Sequence, residues 1–166
     1  MVQLSLMHDV NLCVGCQACE VACKQEHDLP VGPRWIRVLQ VGPKEAGGNL
    51  VTKFIAMRCM HCGRPVCAEA CPVDAISRDV TGRVLIHADL CIGCKECAVA
   101  CPRGAPQMNP QTNIMEICTL CVHRTNKGLK PACVQACPYG ALCFGEINGL
   151  LELKRQRLSQ SSPTPF

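Results

Sequence analysis

Sixteen of the chain's seventeen cysteines fall into four groups of four, and this constrains the fold more than any other feature. Cys13, Cys16, Cys19 and Cys23 are spaced C-x2-C-x2-C-x3-C, and Cys91, Cys94, Cys97 and Cys101 repeat that spacing. Cys59, Cys62, Cys67 and Cys71 carry a wider gap between the second and third members. Cys118, Cys121, Cys133 and Cys137 are split by an eleven-residue insertion, Val122 to Ala132. Three groups end in Cys-Pro, at Cys71-Pro72, Cys101-Pro102 and Cys137-Pro138. A chain of 166 residues with this pattern must organise itself around inorganic centres or a web of cross-links.

Cross-links are the weaker choice. The first nine residues show no basic stretch leading into an apolar one, and no twin-arginine motif precedes Cys13. That start predicts a cytoplasmic chain, with co-export to the periplasm beside a signal-bearing partner as the alternative. C-x2-C pairs suit a metal or a cluster edge better than a disulfide framework. Structural zinc would take two pairs rather than runs of four, and would not require the terminal Cys-Pro. The x2-x2-x3 run is instead the bacterial ferredoxin pattern, in which three close thiolates hold one [4Fe–4S] cluster and the fourth reaches another. A tight loop with two-residue gaps curls round three iron corners and turns backbone N–H groups toward the sulfurs.

Composition agrees. With one Trp, one Tyr and three Phe, the chain is poor in the aromatics that usually fill a core, so clusters should occupy much of the interior. The apoprotein is then predicted to be largely unfolded. The formal charge of +4 counts cysteine as neutral; sixteen thiolates and four cluster cores bring the loaded chain to about −4. Nucleic acid is therefore not an expected partner. Lys24, Arg58, Arg64, Lys95, Arg103 and Lys127 lie beside ligands in sequence and are expected to offset cluster charge. No apolar run approaches the ~20 residues of a membrane span.

The runs sit in a repeated frame. After Cys71-Pro72, Val73 to Ile76 leads out, Asp79 to Gly82 turns, and Val84 to His87 leads into Cys91, which predicts a short hairpin. The first run has only an incoming strand, Leu6 to Leu12, and the fourth only an outgoing one, Tyr139 to Phe144. Pairing the first run with the fourth, and the second with the third, matches these halves; pairing first with second and third with fourth is the rival. The expected fold class is α+β: two nested ferredoxin-like units with short helices, small β-hairpins and an inserted β-hairpin. The outer unit spans 1–28 plus 106–150, the inner unit 57–105, the inserted hairpin 29–56 and a C-terminal tail 151–166. In the insert, Trp35 to Val41 and Leu50 to Ala56 read as strands around turn residues 42–49, covering the clusters or docking a partner. The tail from Lys154 is polar and is expected to be loose or docked on another chain. Cys143 reads as a small buried thiol in the outgoing strand. His61 and His123 read as donors behind the ligands, Trp35 as packing, and 122–132 as an exposed basic loop.

Residues 13–27 (Cys-Val-Gly-Cys-Gln-Ala-Cys-Glu-Val-Ala-Cys-Lys-Gln-Glu-His) and 58–72 (Arg-Cys-Met-His-Cys-Gly-Arg-Pro-Val-Cys-Ala-Glu-Ala-Cys-Pro) resemble the four-cluster electron-transfer subunits of the dimethyl sulfoxide reductase type. So do 91–102 and the split last run. The resemblance covers residues 4 to about 147. It implies four [4Fe–4S] clusters with ligand sets Cys13, Cys16, Cys19 and Cys137; Cys118, Cys121, Cys133 and Cys23; Cys59, Cys62, Cys67 and Cys101; and Cys91, Cys94, Cys97 and Cys71. It also implies single-electron relay between a molybdenum- or tungsten-cofactor catalytic subunit, such as an aldehyde oxidoreductase or formate dehydrogenase, and a second redox partner. That partner would be a flavoprotein, a ferredoxin or a quinone-linked subunit. A freestanding polyferredoxin and a subunit of an exported dimethyl sulfoxide or polysulfide reductase are the alternatives. No run lacks its fourth cysteine, and neither a nucleophile–base group nor a Gly-rich nucleotide loop is visible, so the chain is not expected to be an enzyme itself. Four clusters in so small a body also suggest end-to-end self-association.

Overall fold

A computed structural model describes residues 2–160. Strands and helices alternate with the cysteine runs in the order β1 (Leu4–His8), α1 (Ala18–Glu26), β2 (Ile36–Ala46), β3 (Asn49–Arg58), α2 (Val66–Glu69), β4 (Ile76–Arg78) and β5 (Val84–Ile86). There follow α3 (Glu96–Ala100), β6 (Gln107–Asn109), β7 (Ile114–Glu116), α4 (Val122–Thr125), α5 (Ala132–Gln135), β8 (Leu142–Glu146) and α6 (Ile147–Gln160). Among the described residues the strands form antiparallel pairs only: β1 with β8, β2 with β3, β4 with β5 and β6 with β7. Each pair joins the outgoing strand of one run to the incoming strand of the next. The pairing of β1 with β8 closes the cycle, with Leu6 opposite Phe144 and His8 opposite Leu142. The architecture is α+β, with ferredoxin-like runs held between two-stranded ladders.

One backbone bend recurs in all four runs. The residue before each second cysteine has positive φ: Gly15 at 73°, His61 at 49°, Gly93 at 68° and Leu120 at 53°. A left-handed residue there reverses the chain between two thiols two residues apart. The third and fourth cysteines of each run lie four residues apart because a helical turn intervenes. Cys19 and Cys23 thus share one face of α1. α1 packs on α5, and α2 on α3.

The inserted hairpin is longer than the sequence suggests. Residues 42–46 continue the strand after a register shift between Val41 and Lys44, and the reversal falls on Gly47 and Gly48, at φ 58° and 80°. Two successive positive φ values make the tight hairpin turn whose twist matches its strands. The base of the hairpin enters the core through Ile36, Ala56 and Arg58. That core mixes thiols with aliphatics: Cys19, Cys23, Cys59, Cys97, Cys118 and Cys133 pack among Leu6, Ile76, Val84, Met115, Ile117 and Leu120. No aromatic side chain is among the buried hydrophobic residues described, and Trp35 and Phe144 pack against the core from its edge.

The expected loose tail is overturned for its first part. Residues 154–160 belong to α6, which folds back on its own chain: Arg157 Nη1 donates to Asp9 Oδ2 at 3.1 Å and Nη2 to the Gly140 carbonyl at 3.2 Å. Residues 161–166 lie outside the described part. Among the described residues no helix is long and apolar enough to cross a membrane.

Candidate iron–sulfur sites

Three cavities are lined by cysteines of more than one run. Cys13, Cys16 and Cys19 share the first with Cys137, around about 340 Å³ of space not filled by protein atoms. Cys91, Cys94 and Cys97 share the second with Cys71, around about 280 Å³. Cys59, Cys62 and Cys67 share the third with Cys101, around about 470 Å³. The remaining four of the sixteen run cysteines, Cys118, Cys121, Cys133 and Cys23, are all buried. Burial first, and then the neighbouring Cys118, Cys133, Cys121 and Cys19, push the Cys23 thiol far up, and the packing of α1 on α5 brings Cys23 and Cys133 onto facing helices.

The donor chemistry fits a polynuclear core. A tetrahedral zinc would draw four sulfurs to within about 3.8 Å of one another. Among the described residues, no three His, Cys, Asp or Glu side chains stand close enough to hold a single metal ion. Thiols spread round a cavity match a cubane with one iron per sulfur. Burial and neighbouring charge push Cys19 and Cys59 up to about 12 and Cys97 to about 11. Without bound iron they are therefore protonated at neutral pH, and loading must displace those protons.

Backbone N–H groups reach the sulfurs where the motif leads one to look. His61 N–H donates to Cys59 Sγ at 3.4 Å. After each inner Cys-Pro, the alanine four residues beyond the cysteine does the same: Ala75 to Cys71 at 3.3 Å and Ala105 to Cys101 at 3.4 Å. Proline at the next position has no N–H to compete, and the turn that follows brings the alanine amide back to the thiol.

The side-chain donors differ from expectation. His61 serves through its backbone; its ring Nδ1 accepts the Val84 N–H at 2.9 Å. His123 turns away to Glu26, at 2.7 Å. The imidazole that touches a thiol is His27, whose Nε2 lies 3.3 Å from Cys121 Sγ. Burial, then the charge of His123, lowers His27 to about 4, so it is neutral and can offer one N–H. Its ring leans on Trp35 at 4.4 Å between centroids, which gives that tryptophan the packing role expected of it. His8 lines the cavity of the first run. Its Nδ1 accepts the Ala56 N–H at 3.4 Å, which places the proton on Nε2, and that buried nitrogen has no partner. An orphaned N–H at a thiol-lined cavity fits a sulfide-bearing guest. Neither His8 nor His27 stands out in the sequence, because only the ladders bring them to the thiols.

Cys143 lies in β8 as expected but is only half-buried, with Arg157 Nη2 at 3.4 Å from its Sγ. In the basic insertion, Arg124 is held by Glu26 Oε2 at 2.8 Å and the Lys130 carbonyl at 2.9 Å, while 126–130 are exposed. Cys16, Cys62 and Cys94, the second cysteines of three runs, are exposed, whereas Cys121 is buried.

The 4Fe-4S dicluster domain matches residues 50–147, and a second description of such a domain matches 12–75. The chain is 37% identical to the thiosulfate reductase electron transfer subunit PhsB of Salmonella typhi, over 96% of this chain and 88% of that protein. It is 35% identical to the B subunit of the anaerobic dimethyl sulfoxide reductase of Haemophilus influenzae, over 100% of this chain and 83% of that protein. Against the iron-sulfur subunit of the nitrate-inducible formate dehydrogenase of Escherichia coli the identity is 34%, over 95% of this chain and 59% of that protein. These relatives are electron-transfer and iron–sulfur subunits rather than catalytic ones, and the cysteine complement fits four [4Fe–4S] clusters. The shared cysteine pattern and these likenesses together place the chain among the iron–sulfur electron-transfer subunits of the dimethyl sulfoxide reductase type, the family to which it belongs.

Proposed function

We propose that this chain relays single electrons within an oxidoreductase complex, between a molybdenum- or tungsten-cofactor catalytic subunit and a second redox partner. The four clusters would be held by Cys13, Cys16, Cys19 and Cys137; Cys118, Cys121, Cys133 and Cys23; Cys59, Cys62, Cys67 and Cys101; and Cys91, Cys94, Cys97 and Cys71. The runs then form two nested units, an outer one (1–28 with 106–150) around an inner one (57–105). The observation that carries this is the sharing of each thiol-lined cavity: three cysteines of one run face the fourth cysteine of another, Cys137, Cys71 or Cys101. The packing of α1 on α5 and of α2 on α3 supports the same pairing.

A [4Fe–4S] cluster supplies one-electron chemistry with no bond made or broken by the protein. The chain's own residues do the rest. Backbone donors at Cys59, Cys71 and Cys101 favour the more negative, reduced state. Leu6, Val84, Ile117 and Leu120 keep water from the interior. The exposed Cys16, Cys62 and Cys94 bring three cluster edges to the surface, where electrons can cross to partners.

Cysteine-to-serine substitution tests the ligand map. Cys137→Ser and Cys13→Ser should alter the same electron paramagnetic resonance signal, and Cys23→Ser should alter the one altered by Cys118→Ser. Cys137→Ser acting on the signal of Cys118→Ser would overturn the nested pairing.

A further inference from the structure

Of the six cations beside ligands in sequence, five are occupied elsewhere or lie at the surface. Lys24 Nζ donates to the carbonyls of Pro30 and Pro33 at 2.7 and 2.9 Å. Arg64 pairs with Glu69 at the surface, with 84% of its side chain exposed. Lys95, Arg103 and Lys127 are exposed. Arg58 is different. It ends β3 inside the core, 6% exposed, and Nη2 donates to the Leu6 carbonyl of β1. Its Nε has no partner. Among the described residues no carboxylate pairs with it.

A guanidinium does not shed its proton, and an isolated buried cation is costly unless a counter-charge lies near. Arg58 directly precedes Cys59, and Leu6, whose carbonyl it holds, packs in one core cluster with Cys59, Cys118 and Cys133. Burial opposes the guanidinium's charge most, and the counter-charges at hand once iron is bound are the thiolates of Cys118, Cys133 and Cys59. Those thiolates belong to two different ligand sets. With its four thiolates, a [4Fe–4S] cluster carries roughly −2 when oxidised and −3 when reduced. A fixed positive charge therefore favours the reduced form of whatever cluster it faces, and at a low effective dielectric the effect is large.

We propose that Arg58 is a potential-setting residue: its buried guanidinium stands between the cluster on Cys59 and the cluster on Cys118 and Cys133, and raises the midpoint potentials of both together. The reduction concerned adds one electron to a cluster and moves no proton through Arg58. This rests on the ligand sets proposed above.

The test is anaerobic redox titration of the loaded chain, followed by electron paramagnetic resonance, with two variants. Arg58→Gln keeps donors for the Leu6 carbonyl and removes the charge. Arg58→Lys keeps the charge and removes the fork. In Arg58→Gln, two of the four clusters should become harder to reduce by tenfold or more, which for a one-electron couple is 59 mV or more. Arg58→Lys should leave all four within about threefold of the starting chain, or about 28 mV. Should Arg58→Gln fail to retain two clusters that Arg58→Lys retains, the counter-charge role stands as well. Unchanged potentials in Arg58→Gln, equal shifts in all four clusters, or equal shifts or equal iron loss in both variants would overturn it. Failure of the ligand map is read separately: Arg58→Gln would still move the signals altered by Cys59→Ser and Cys133→Ser, but Cys101→Ser would not act on the first of them, or Cys23→Ser on the second; two shifted signals other than those of Cys59→Ser and Cys133→Ser would overturn the role of Arg58.

Discussion

The ring of Phe54 lies across Gly15. A β-carbon on Gly15 would stand 2.4 Å from the ring, and the backbone there has a φ of 73°. The inserted hairpin thus covers the loop of the first run, with the glycine leaving room for the aromatic face. Gly93 repeats the arrangement in the third run, where a β-carbon would stand 2.3 Å from the Asn113 carbonyl oxygen. Gly15→Ala should force Phe54 to move and weaken the first-run cluster. Gly93→Ala should be worse, because its neighbour is backbone and cannot swing away. Iron content and resonance signals after anaerobic reconstitution check the order; Gly93→Ala retaining more iron than Gly15→Ala would contradict it.

Asp79 closes the β4–β5 turn. Its Oδ1 accepts the amides of Thr81 and Arg83 and the Thr81 hydroxyl, at 2.8, 2.9 and 2.7 Å. Burial alone would raise this carboxyl, but the Thr81 hydroxyl and the two amides hold it below the usual carboxylate range. Asp79→Ala should cost about 2 kcal/mol. Because the folded value is depressed, the contribution is present above the unfolded pKa near 3.9 and is lost as pH falls through the folded value. The stability gap between starting chain and variant should hold between pH 7 and 5 and narrow only below about pH 4. A gap that closes by pH 6 would show another cause.

Arg157 pins α6 to Asp9 and Gly140. A partly exposed ion pair of this kind is worth about 1 kcal/mol, a factor of about five in an opening equilibrium. Arg157→Ala should speed amide exchange across 147–160 by about that factor while leaving iron content unchanged. Loss of iron would mean that α6 supports a cluster directly.

His27 Nε2 lies 3.3 Å from Sγ of Cys121, the buried second cysteine of the fourth run, where an N–H on that nitrogen would donate to a cluster-bound thiolate. Removing the donor with His27→Phe should make one cluster harder to reduce, the one altered by Cys121→Ser, and spare the other three. A hydrogen bond to a charged group is worth about 1.5–3 kcal/mol, and only the part gained on reduction moves the equilibrium, so the reduction equilibrium of that cluster should shift by up to about tenfold. No shift, or a shift in a different signal, would remove His27 from the role.

Stripping iron at neutral pH leaves thiols that burial holds protonated, Cys19 and Cys59 among them. The core then consists of short aliphatics around cavities. Far-ultraviolet circular dichroism should lose the ladder signal, and emission of the lone Trp35 should shift to that of a water-exposed indole. Unchanged spectra would show that the fold stands without its clusters.

Much of the site is legible in the spacing because thiol geometry is local. The two-residue gaps demand the bend at Gly15, His61, Gly93 and Leu120, and the x3 gap demands a helical turn. The β4–β5 hairpin is equally plain, since Asp79 and Gly82 punctuate it. The β6–β7 ladder is not: its strands hold three residues each, too few for an alternating pattern to declare itself. Strand β2 runs on past Gly42-Pro43, residues that ordinarily mark a turn, because the register shift absorbs them. The helix in the tail is masked by its polarity, and it stands on a few tertiary contacts such as Leu150 and Arg157. His8, His27 and Arg58 acquire their roles only when distant strands meet.

Iron and acid-labile sulfide per chain, measured on anaerobically prepared protein, test the central claim most directly. Four [4Fe–4S] clusters predict about sixteen of each, with no stoichiometric zinc. Fewer than about twelve irons in fully folded protein, or zinc in their place, would contradict it.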